Sequence, residues 1–423
     1  MRTFHAAPAS AIESPQAWLR LGLSLLLMTI GGCGMYSVAV VLPAIQSEFG
    51  LARGAASLPY TLTMIGFGIG GVLMGRLADR FGVMVPVALG ACGLGVGFIG
   101  AGLAPDYLTF CLAQGVFIGL LGTSATFAPL VSDTSQWFDR RRGIALAICM
   151  SGNYVAGAAW PPVIQLLVES IGWRQTHVAI GVFCFATIFP LAWCLRTRPP
   201  AIAAPAPAAA KGAAASPGAR PMGLRPGTAL ALLAVASVAC CVAMAMPQVH
   251  IVAYCSDLGF GPARGAEMLA LMLGLGVVSR LVSGWISDRI GGLRTLLLGS
   301  LLQGIALLLF LPADALMSLY VVSALFGLFQ GGIVPAYALI VREHFPPSEA
   351  GAKVGTVLMA SLFGMALGGW MSGAVFDLAG SYRAAFVNGI AWNALNLAIV
   401  LFLLHRLRRS RVRAPMGGAV PGV

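Results

Sequence analysis

Arg280 lies in the run VVSRLVSGWISDRIGG (277–292), eight residues before Asp288 and with no other charge between them. Eight residues of helix cover about 12 Å, so the guanidinium sits well inside an apolar segment. An ionised side chain in such a place costs several kcal/mol unless it meets a cavity or a partner. Of the 14 acidic residues, 13 fall in loops or at the ends of apolar segments, and Asp133 lies near the end of the fourth. Arg280 therefore has no evident internal counter-ion. Arginine presents a planar fork that grips a carboxylate through two parallel hydrogen bonds. The chemistry expected at Arg280 is the binding of a substrate carboxylate, against snorkelling toward water or pairing with helix carbonyls.

Other polar residues within apolar segments could orient such a substrate: Tyr36, Asn153, Tyr154, His250, Tyr254, Gln330 and Ser361. Each could equally make a local helix–helix hydrogen bond, worth about 0.6 kcal/mol in a membrane bundle. His250 titrates near physiological pH and sits toward the outer end of its segment, where it could handle protons. No metal-ligand, nucleophile or cofactor pattern accompanies these residues, so an enzyme is not expected.

The segments that must position these side chains are membrane spans. The chain of 423 residues is 58% hydrophobic and 9% charged, with a mean hydropathy of +0.88, against about 25% charge in soluble domains. Apolar runs long enough to cross a ~30 Å hydrocarbon core recur near 18–42, 56–76, 84–104, 107–136, 143–169, 174–196, 228–255, 265–287, 293–312, 315–342, 350–376 and 383–405. Open sheet edges do not survive in lipid, so these twelve spans are expected to be helices.

With both termini placed in the cytoplasm, 21 of the 26 basic residues fall on that side and four (Arg53, Arg174, Arg264, Arg383) on the other. The positive-inside rule favours this orientation. It also reads the +12 net charge as topology and lipid contact, not nucleic-acid binding. All nine cysteines fall in spans, so no disulfide framework is expected. The stretch Ile30-Gly31-Gly32-Cys33 faintly resembles a lipoprotein cleavage box, but its apolar run continues to Leu42 as a full span does. Arginine far outnumbers lysine, as in GC-rich bacterial genomes, which points to a bacterial inner membrane.

Residues 199–227, rich in Pro, Ala and Gly, read as a cytoplasmic linker between six-span halves at 1–198 and 228–407, with a basic tail at 408–423. The halves echo one another. GRLADRFG (75–82) and GWISDRIG (284–291) share Gly75/Gly284, Asp79/Asp288, Arg80/Arg289 and a closing glycine, displaced by 209 residues. The same displacement sets Asp133 beside Glu343. Repeats of this kind build many secondary transporters, with the substrate site between them.

From end to end the chain resembles a major facilitator superfamily transporter, with Gly75–Gly82 similar to that superfamily's signature between spans 2 and 3. The resemblance implies two pseudo-symmetric six-helix bundles and a gate. In that gate Asp79 would cap span 11, and Arg76 or Arg80 would pair with Asp133. Otherwise these are solvated turn charges that only fix orientation. QWFDRRRGIALAICMSGNYVAG (136–157), together with Trp18, Glu48-Phe49-Gly50, Arg53 and the placing of Arg280, is similar to the monocarboxylate and oxalate/formate porter branch. Animal members of that branch use a Lys in span 1 and an Asp four residues before the span 8 Arg. Span 1 here has no Lys, and Gly276 stands at the Asp position.

The expected function is alternating-access transport of a small mono- or dicarboxylate by a monomer. A proton could accompany the anion, or a second anion could be exchanged for it. Export of amphipathic compounds, and a membrane sensor that binds without moving its ligand, are the competing readings.

Overall fold

The computed structural model describes residues 12–198 and 221–413, so most of the expected linker (199–220) and the end of the tail (414–423) lie outside the described residues. Long apolar helices run Pro15–Phe49, Arg53–Phe81, Met84–Gly102, Tyr107–Trp137, Arg142–Trp193, Pro226–Asp257, Pro262–Ile290, Gly292–Phe310, Leu316–His344, Glu349–Ala379 and Tyr382–Arg409. The fifth of these is two spans. Gly172 turns the chain at φ 80° and ψ 158°, a conformation that only glycine adopts cheaply. Counted this way, the described residues form twelve spans, numbered 1 to 12 below. The seventh begins at Pro226, slightly before the expected 228. The last helix continues to Arg413, into the stretch expected to be tail.

Local signals explain the boundaries. Ser14 and Asp106 accept the N–H groups of Ala17 and Thr109 and so cap spans 1 and 4. The Thr109 N–H holds the Asp106 carboxyl below its ordinary range. The closing glycines of the repeated turns, Gly82 (φ 88°) and Gly291 (φ 82°), end spans 2 and 8 in matching fashion. Span 4 is π-helical over Ala113–Thr123 and resumes as Ala128–Trp137. Span 10 breaks at Gly331-Gly332. These breaks lie one repeat apart, and discontinuous helices of this kind line transporter sites.

Helices in lipid gain little from apolar contact alone, so close approach of small residues holds them together. A Cβ on Gly70 in span 2 would lie 2.1 Å from the Leu120 carbonyl oxygen of span 4. In the other half, a Cβ on Gly331 in span 10 would lie 2.3 Å from the Gly276 carbonyl oxygen of span 8. One buried apolar cluster is drawn from spans 1 and 3–6. A second is drawn mostly from spans 7–12 but takes in Tyr36, Tyr60 and Tyr154 of the first half.

Asp133 does not pair with Arg76 or Arg80. Its carboxylate accepts two hydrogen bonds from the Arg20 guanidinium, at 2.7 and 3.0 Å, and Arg20 also donates to the Leu195 carbonyl and stacks on Trp137. Arg20 is 8% exposed and Asp133 4%, so this pair staples spans 1, 4 and 6 within one half. Arg76 and Arg80 are exposed, and Arg80 lies over Phe81. Removing one partner of a buried ion pair typically costs about 3–5 kcal/mol. Asp133→Ala and Arg20→Ala should therefore lower the thermal unfolding midpoint of the purified protein sharply. Arg76→Ala and Arg80→Ala should leave it nearly unchanged.

Candidate functional site

Between the two halves lies a cavity of about 170 Å³. Spans 1, 2, 4, 5, 7, 8, 10 and 11 all contribute to its wall, and among the described residues Arg280 is the one charged side chain lining it. Most of the wall is apolar, with Met35, Met150, Met244, Met365, Phe67, Phe127 and Leu273 prominent. Polar groups come from Tyr36, Tyr60, Asn153, Tyr154, Gln248 and Ser361.

Three contacts hold Arg280. Its Nη1 donates to the Met150 carbonyl at 3.2 Å, across the divide between the halves. Its Nε reaches the Gly331 carbonyl at 3.5 Å. That carbonyl is free because the residue four positions on is Pro335, which has no N–H to offer. The guanidinium carbon lies 4.5 Å from the centre of the Tyr154 ring, a cation–π distance. All 14 acids are among the described residues, and none forms an ion pair with Arg280. The cation is steadied by neutral groups only.

The remaining expected residues divide by position. Tyr36 lines the cavity and donates to the Asn153 carbonyl at 3.2 Å. The Asn153 amide lines the cavity as well. Ser361 lines it too, but its hydroxyl is engaged with Ser237 at 2.5 Å. Gln330, His250 and Tyr254 do not reach the wall. Gln330 is buried one layer back and accepts from Gln248 at 2.8 Å, so Gln248 is the amide presented to the cavity. Tyr254 donates to the Ala313 carbonyl at 3.4 Å. His250 is fully buried between Tyr382 and the Gly369 carbonyl.

A set of residues at span ends closes the face opposite the termini. Arg53, at the start of span 2, donates to Asp257 of span 7 at 3.0 Å and to the Tyr382 hydroxyl of span 12 at 2.7 Å. Asp377 of span 11 accepts the backbone N–H groups of Arg53 and Gly54 at 2.8 and 2.7 Å. Arg53 also stacks on Phe376. The first half is thus latched to three helices of the second.

The face bearing the termini is different. Asp79, Arg76, Asp288 and Arg289 are exposed, and Arg289 lies over Trp285. Asp79 does not cap span 11: among the described residues no hydrogen bond or ion pair involves it. A Cβ on Gly75 or Gly284 would meet open space. Glu343 accepts the Gly292 N–H at 3.0 Å and caps span 9 within its own half.

A family model described as the Major Facilitator Superfamily matches residues 24–318 and 257–421. The chain belongs to the Major Facilitator Superfamily. It is a multi-pass membrane transporter, not an enzyme. Within the superfamily it is 27% identical over 380 residues to monocarboxylate transporter 13 of Rattus norvegicus, covering 88% of this chain and 84% of the relative. It is 26% identical to monocarboxylate transporter 11 of Homo sapiens, covering 74% and 66%. The fold is similar to a bacterial homologue of the human lysosomal transporter Spinster, solved inward-facing and occupied. That comparison has a TM-score of 0.66 at 16% identity and covers 94% of this chain and 97% of that one.

Gly276 also has a structural reason. A Cβ there would come within 2.5 Å of the Tyr154 ring that steadies Arg280. Overpacking of this sort costs about 1–3 kcal/mol, so Gly276→Ala should lower thermal stability by that amount. Adding Tyr154→Leu to Gly276→Ala should recover most of the loss, because the flexible side chain yields the space.

Proposed function

We propose that this superfamily member transports a small organic anion with one carboxylate and an apolar body, and that Arg280 anchors the carboxylate. The observation that carries this is a lone cavity cation held by two carbonyls and an aromatic face, with every acidic residue engaged or placed elsewhere. A carboxylate arriving there replaces neutral partners with a charge-assisted pair. A second carboxylate on the same substrate would meet no cation, so a monoanion fits better than a dianion. The likeness to monocarboxylate transporters supports the same class.

Asn153, Tyr36, Tyr154, Gln248 and Ser361 would orient the substrate body among the methionines, whose flexible thioethers adapt to varied apolar shapes. Gln330 would act by holding Gln248. The units are read as bundles at 1–198 and 228–407 joined by the 199–227 linker, working as a monomer in a bacterial inner membrane with both termini cytoplasmic. In that orientation the Arg53 latch closes the outside and the cavity faces inward. The repeated turns would then meet when the inside closes, with Gly75 and Gly284 leaving room and Asp79, Arg80, Asp288 and Arg289 making the contacts. The methionine-rich wall also favours a second reading, export of amphipathic compounds, in which Arg280 would be dispensable.

Uptake of radiolabelled monocarboxylates into proteoliposomes separates the two. Arg280→Gln should raise the half-saturating concentration of the cognate acid about 10–100-fold, the value of a charge-assisted hydrogen bond of about 1.5–3 kcal/mol. Arg280→Lys should recover only part of it, since an ammonium cannot reproduce the fork. Wild-type uptake in both variants would sink the anchor.

A further inference from the structure

His250 is fully buried, does not reach the cavity wall, and is wired into the latch. Its Nε2 lies 2.8 Å from the Gly369 carbonyl oxygen, which can only accept, so Nε2 carries a hydrogen. In the neutral ring Nδ1 is then a lone pair, and the Tyr382 hydroxyl lies 3.3 Å from it. The Tyr382 oxygen in turn accepts from Arg53 at 2.7 Å. The chain of donors runs in one direction: Arg53 to Tyr382, Tyr382 to His250, His250 to Gly369. It joins spans 2, 12, 7 and 11, and every link is satisfied only while Nδ1 is unprotonated.

We propose that His250 is a proton-binding site that opens the latch. A proton taken from solvent at the latch face occupies the Nδ1 lone pair and leaves the Tyr382 hydrogen without its acceptor. It also sets a second buried cation one phenol away from Arg53. The charges facing the ring are Arg53 from span 2 and Asp377 from span 11, with Asp257 further along its own span, Tyr382 on span 12 and Tyr254 one turn away. Asp257 already serves Arg53, and Asp377 already takes two backbone N–H groups, so neither is free to neutralise an imidazolium. Protonation and the closed latch exclude one another. The ligand of this site is a proton from the latch face, and acid there favours the open state. The inference rests on the latch being one of two alternating gates.

The test is a distance between spin labels at Leu108→Cys and Met317→Cys, one in each half on the latch face, 69% and 73% exposed. Cys92 and Cys194, the two native cysteines not buried, are replaced by serine. In the full-length protein the closed-to-open ratio should fall at least ~10-fold as pH drops from about 8 to about 5, the histidine range. His250→Gln should remain closed across that range. Tyr382→Phe, which frees the Nδ1 lone pair but leaves an imidazolium near Arg53, should be more open at every pH and respond less steeply than the wild type. Asp257→Asn should open the latch regardless of pH. A pH response that survives in His250→Gln would assign it to the carboxylates and overturn the proposal. A flat wild type with an open Asp257→Asn would overturn the proposal alone. A flat wild type and a closed Asp257→Asn would overturn it together with the alternating-gate reading.

Discussion

A cation placed in the apolar middle of a bundle must be compensated, and Arg280 is the point on which the rest of this structure turns. Insertion scales put the cost of an arginine at a helix centre at about 2.5–3.5 kcal/mol. The chain offsets part of that cost with neutral groups. Pro335 strips the Gly331 carbonyl of its helical donor, Met150 lends a carbonyl from the other half, and Tyr154 supplies a ring face. A resident aspartate would have neutralised the charge permanently. Three neutral contacts hold the guanidinium in place without cancelling its charge.

The acids that could have paired with Arg280 are spent on architecture. Asp133 is locked to Arg20 inside the first half, Glu343 caps span 9, and Asp257 and Asp377 fasten the Arg53 end. Each is linked to one half or to one face. Alternating access needs strong contacts that form at one face at a time, and polar contacts at helix ends can break without opening an apolar core. The asymmetry seen here, with Arg53 latched and open space at Gly75 and Gly284, is what the proposed cycle requires of one of its two states.

Much of the fold was legible in the sequence because hydropathy, glycine and charge act locally. The twelve spans, the break between the fifth and sixth, and the matched ends at Gly82 and Gly291 follow from short stretches. Arg280 was legible for the same reason, since depth in a span and the lack of a nearby acid can be counted. Pairings across the sequence were not. Arg20 lies 113 residues from Asp133, and its place at the start of span 1 reads as a topology charge. Asp257 and Asp377 likewise read as span ends and Arg53 as an outer-side charge until the halves are brought together, and Tyr382 carries no signal in the sequence. The Pro335 signal was present, but a proline in a span reads as a kink before it reads as a freed carbonyl. Gln330 and Gln248 exchanged roles because helix phase around the Gly331-Gly332 break decides which amide faces the cavity.

On the proposed reading, the cavity holds an anion through its charge. Calorimetric titration of the purified protein with a monocarboxylic acid and with its amide, equal in shape and different in charge, tests it directly. A charge-selective site gives heat and saturable binding for some acid and none for the matching amide, with binding weakened as salt rises. Equal binding of acid and amide, or binding confined to cationic compounds, would contradict it.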